Sequence, residues 1–124
     1  MSDQVVLRLP ASGQYLSVLR TATAALASGL DFTLDDIEDL RIAVDEACAL
    51  LLPHAVDGAE LDCRFDLAVD ALSFSVTVAA DDPAPLSQDS FAWTVLNALA
   101  GDVKSTADGE LVTVSLVKHR GVPP

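Results

Sequence analysis

No stretch of this chain approaches the roughly 20 consecutive apolar residues that a bilayer-spanning helix needs. Its opening, MSDQVVLRLP, also lacks a basic start followed by a long apolar core. Neither a membrane-embedded nor an exported protein is expected, and the cytoplasm is the expected compartment. Basic residues are scarce, with seven Lys and Arg against nineteen Asp and Glu and a formal charge of -12. Such a surface repels phosphate backbones and anionic lipids, which argues against direct nucleic-acid or membrane binding. The acidity suits a partner with a basic surface, and it equally suits a small hydrophobic domain that needs charge to stay soluble. Cysteine is confined to Cys48 and Cys63, at no metal-ligand spacing. Both fall at positions that the patterning turns inward, so they read as small core residues with no redox or metal role. Absent too are G-x-G-x-x-G, the phosphate loop G-x-x-x-x-G-K-[ST], G-x-S-x-G and any His-Cys-acid set that spacing would pick out.

What is present is apolar. Of the 124 residues, 51% are hydrophobic and 21% charged, which excludes disorder and predicts one well-filled domain spanning residues 1–124. Val5, Leu7 and Leu9 alternate with Gln4, Val6 and Arg8 in a first strand that Pro10 stops. From Gln14 to Ser28, Tyr15, Val18, Leu19, Ala22 and Leu26 recur at helical spacing, with Gly29 as a stop. Thr33, followed by Asp35 and Asp36, signals the start of a second helix near Leu34. Ile37, Leu40, Val44, Ala47, Cys48 and Leu51 form its core stripe, and Pro53 marks its end. Leu61 to Ala68 and Leu72 to Ala79 alternate strictly and predict a hairpin turning at Val69-Asp70-Ala71. A third helix is predicted from Ser90 to Ala100, carrying Phe91, Val95, Leu96 and Leu99. Val103 to Thr106 and Leu111 to Val117 complete the sheet through the Ala107-Asp108-Gly109 turn. The predicted fold is a two-layer α/β sandwich, a mostly antiparallel sheet with three helices on one face.

Within LRIAVDEACALLLPHA, Asp45 and Glu46 are charges in an otherwise apolar stretch. Glu46 shares a helix face with Ile42, Ala43 and Leu50. On the residues alone it is either an edge carboxylate turned to water or a functional acid. His54 reads as a helix-terminal residue near the last carbonyls.

Ala43, Val44, Glu46, Ala47, His54 and Ala55 fit the pattern A-V-x-E-A-x-x-N-x-x-x-H-A. In that pattern the chain resembles the bacterial anti-sigma factor kinases of the GHKL ATP-binding superfamily, of the RsbW and SpoIIAB type. The order of elements also fits that Bergerat-type fold, and SFAWTVLNALAGDV is similar to divergent actinobacterial members. The resemblance implies a catalytic role for Glu46, an adenine contact at Asp81 or Asp82, and a partner contact at Arg20, which is otherwise an ordinary solvent-facing helix residue. It also implies ATP and magnesium as cofactors, an alternative sigma factor and a STAS-domain anti-anti-sigma factor as partners, and a homodimer.

The departures from the family pattern are chemical. Leu50 stands at the magnesium asparagine and cannot coordinate a hard cation. Asp81-Asp82-Pro83-Ala84-Pro85 replaces the D-x-G-x-G box, without the glycines that let backbone approach a nucleotide. Ser90-Phe91-Ala92-Trp93 replaces the glycine-rich lid, and Val112 stands at the terminal-strand threonine. The expectation is an anti-sigma factor with a degraded nucleotide site and its kinase activity lost. The alternative is an active serine kinase in which Glu46 orients or deprotonates the substrate hydroxyl.

Overall fold

The computed structural model describes residues 3–121. Five strands form one antiparallel sheet: β1 (Asp3–Pro10), β2 (Glu60–Leu67), β3 (Ala71–Ala79), β4 (Gly101–Asp108) and β5 (Leu111–His119). Their spatial order is β1-β2-β3-β5-β4. Because side chains alternate along a strand, the register builds apolar rows across one face. Leu7, Cys63, Val76 and Val114 make one row, and Val5, Phe65, Phe74 and Leu116 the next. The Phe65 and Phe74 rings sit 5.0 Å apart at 51°. The opposite face is polar, with Thr77 and Thr113 hydroxyls 2.7 Å apart and Asp62 held between Arg8 and Arg64.

Three helices, α1 (Leu16–Gly29), α2 (Leu34–Leu51) and α3 (Phe91–Leu99), bury their apolar stripes in the same core. The predicted two-layer α/β sandwich is the observed architecture. Thr33 caps α2 by accepting from the Asp36 amide at 3.1 Å, and Asp35 and Asp36 lie at the positive end of the helix dipole. Pro53 falls in a short 3-10 turn, Leu52–His54, directly after α2.

The face of α1 differs from the sequence expectation. Leu19, Thr23 and Ala27 are buried, while Val18 is 47% exposed and Tyr15 lies before the helix, in a 3-10 turn. The cause is Thr23, whose hydroxyl donates to the Leu19 carbonyl at 2.8 Å. A threonine satisfied within its own helix can enter the core, and the small Thr23 and Ala27 side chains turn the helix away from the stripe read from hydrophobicity. A second difference concerns α3. Phe91 is 83% exposed, whereas Trp93, absent from the predicted stripe, is buried. Ser90 caps this helix by accepting from the Trp93 amide, and the Trp93–Leu96 pair at i,i+3 defines the inner face. At about 100° per residue, Phe91 falls on the opposite side.

The chain leaves α1 with Asp31 in the left-handed region, at φ 60°, the position at which helices commonly end on glycine. At the far end of β5, Lys118 points to the helix side. Its Nζ donates to the Leu99 carbonyl at 3.0 Å and lies 3.5 Å from Asp39 and 3.8 Å from Asp36. The Gly121 amide donates to Asp36 at 2.9 Å, so one acid at the start of α2 fastens the last strand to the helix layer.

Candidate functional site

Two regions carry the residues that the sequence singles out. The first lies along the C-terminal half of α2. Glu46 is half-buried and enters no ion pair among the described residues. One turn later Leu50 packs against the core, so its isobutyl group occupies the position next to the carboxylate. The loop after β3 is drawn to the end of α2 by Ala55 pairing with Ala80, by the Val56 amide donating to Ala79, and by the Asp81 amide donating to the His54 carbonyl at 3.4 Å. Asp81, Asp82 and His54 are exposed. Farther on, the Leu86 amide donates to Ser105 Oγ at 2.8 Å and ties the loop to β4. Trp93 and Leu96 close α3 into the core, and Val112 is a buried core residue of β5.

The side chains here supply a magnesium nucleotide with few ligands. A hard cation takes oxygen ligands, and Leu50 supplies none. Between Gly58 and Gly101 there is no glycine, so no Cβ-free backbone is available there to approach a phosphate chain.

The second region is the groove between α1 and α2, which run as an antiparallel hairpin. Arg20 Nη1 donates to Asp45 Oδ2 at 3.2 Å, and Arg41 Nη1 donates to Glu38 Oε2 at 2.9 Å. With Ile42 these four residues line a notch of about 220 Å³. The Arg20 side chain stays 42% exposed, so part of its planar donor fork is free to meet another group. Asp45, the residue that holds Arg20, was given no role by the sequence reasoning that weighed Glu46.

Cys48 of α2 and Cys63 of β2 are both fully buried free thiols. Hydrogen bonding with Cys63, together with burial, pushes the Cys48 thiol far up. A thiol held protonated in the core is unreactive, as expected of small core residues.

A sheet with one helical layer and a carboxylate-bearing second helix defines a class. Residues 9–118 match the family model described as the histidine kinase-like ATPase domain, and the chain belongs to that family. It is similar to the anti-sigma-F factor RsbW of Mycobacterium tuberculosis, with 36% identity over 105 residues, 85% of this chain and 62% of that protein. It is also similar to the serine-protein kinase RsbW of Bacillus velezensis, with 35% identity over 82 residues, 64% of this chain and 51% of that one. The chain thus spans less than two thirds of these curated relatives. The crystal structure of the RsbU and RsbW domains of a Mycobacterium tuberculosis protein shares the fold, with a TM-score of 0.76 at 15% identity over 98% of this chain and 33% of that one. The resemblance carried by the residues from Ala43 to Ala55 is therefore borne out for family and fold. No helix among the described residues is long and apolar enough to cross a membrane.

Proposed function

We propose that this protein is an anti-sigma factor that binds and sequesters an alternative sigma factor, independently of nucleotide. The observation that carries the reading is Leu50: the fold of a histidine kinase-like ATPase and Glu46 are present, while the position one turn after Glu46 is apolar and packs against the core. Phosphoryl transfer depends on positioning and on neutralising charge, and an isobutyl group contributes to neither. The similarity to a relative named anti-sigma-F factor supports the binding role. Docking falls to α1 around Arg20, with the acidic remainder of the surface steering a basic partner. Release runs through competition by a STAS-domain anti-anti-sigma factor, and the working unit is a homodimer in the cytoplasm.

The second reading, an active serine kinase, is favoured by the retained Glu46 and by relatives named serine-protein kinase. Each alternative sigma factor of the host, purified and titrated against the protein by calorimetry with and without magnesium ATP, tests both. The expected result is one sigma factor bound with the same affinity in both buffers, and no phosphate transferred to a STAS-domain protein. Transfer that disappears in Glu46→Ala would replace the first reading with the second. Absence of binding to every sigma factor would reject the anti-sigma role.

A further inference from the structure

Arg41 lies one turn before Asp45 on α2, and each leaves one atom unmatched in the notch. Arg41 Nε and Asp45 Oδ1 are buried and have no hydrogen-bond partner among the described residues. One is a donor and the other an acceptor. Both are orphaned for the same reason, since Asp45 is turned across to Arg20 and Arg41 is turned back to Glu38. Yet the spacing between them, i and i+4, is the one at which an acid and a base on a single helix pair directly. Rotating the two side chains toward each other brings Oδ1 to Nε, satisfies both orphans and frees Arg20.

We infer that Asp45 is a positioning residue that stands in for a carboxylate of the docked partner. It holds Arg20 ready in the free protein and passes to Arg41 when the partner's carboxylate takes the guanidinium. The inference rests on the proposed reading of α1 as the docking face, and the partner is the sigma factor. The surroundings specify what the sigma factor presents there. No acidic residue occurs between Asp3 and Asp31, so Arg20 is the one charged side chain on α1. Ile42, 41% exposed, lines the same notch and adds apolar surface beside it. The matching group is an aspartate or glutamate set in an apolar patch. Asp45, if merely abandoned by Arg20, would be left partly buried and unpaired, and Arg41 removes that penalty.

The test has two arms, both on the full chain with thermal melts confirming that each variant folds. In the free protein, the Nε–Hε resonance of Arg41 is followed by nitrogen-15 NMR. In Arg20→Ala it is expected to move downfield and exchange more slowly with water, and in Arg20→Ala/Asp45→Asn to lose both changes. An Arg41 resonance unchanged between wild type and Arg20→Ala overturns the exchange. In the second arm, the sigma factor that binds the wild type is titrated. Asp45→Asn is expected to bind about two- to fivefold tighter and Arg41→Met about two- to fivefold weaker, with the Arg41 effect gone in the Asp45→Asn background. Weaker binding by Asp45→Asn, the result of a merely structural role, overturns the stand-in. If no sigma factor binds the wild type, the functional reading falls, and the Arg41 resonance still decides whether Asp45 changes partner.

Discussion

Asp31 and Asp102 are the two described non-glycine residues with a left-handed backbone, and Asp31 sits where a helix ends. An L-residue with φ near 60° places its Cβ against its own carbonyl, and an acid just past the C-terminus of α1 also faces the negative end of the dipole. Asp31→Gly relieves both and is expected to stabilise the fold by about 0.5–1 kcal/mol, read as a rise in Tm of a few degrees. On the open sheet face, hydrogen bonding from Arg64, aided by Arg8, holds the Asp62 carboxyl below the usual carboxylate range. A folded-state value below the unfolded one means stability that is present above about pH 4 and lost as pH falls through the folded value. Denaturant melts between pH 5 and pH 2.5 are expected to show a shallower acid loss in Asp62→Asn than in the wild type, by a small margin because the pair is largely exposed.

Helices and strands were legible from the sequence to different depths. Every strand could be read, because period-two alternation with one buried face leaves a single workable register, kept from Leu61 to Phe65 in β2 and from Leu72 to Val78 in β3. Helix positions were legible from Thr33, Pro53 and Ser90, but helix faces were not. Thr23 enters the core by bonding to its own backbone, and Trp93 outweighs Phe91 in α3, both of which depend on packing that hydrophobicity alone does not encode. Trp93→Ala is expected to cost about 3–5 kcal/mol and Phe91→Ser less than about 0.5 kcal/mol in urea unfolding. The same limit explains the site. Glu46 was conspicuous as a charge in an apolar run, whereas Asp45 became meaningful only once α1 lay against α2 and brought Arg20 to it.

At the scale of the molecule, the order of strands in space departs from their order along the chain where β5 lies between β3 and β4. β2–β3 and β4–β5 are joined by short turns, but β1 meets β2 only after the whole α1–α2 hairpin has been laid down, with Asp3 opposite Leu67 and Pro10 opposite Glu60. Closing that long loop costs chain entropy before any contact rewards it. In time, then, the molecule has a quick part and a slow edge: the β2–β3 hairpin assembles locally, and β1 arrives last. Like β4 at the other edge, this strand has one neighbour where β2, β3 and β5 have two, so it opens more readily than they do in native-state fluctuations. Because β1 leads through Ser12 and the Gly13–Tyr15 turn into α1, the clock that sets its arrival and departure is also wired to the helix that carries Arg20.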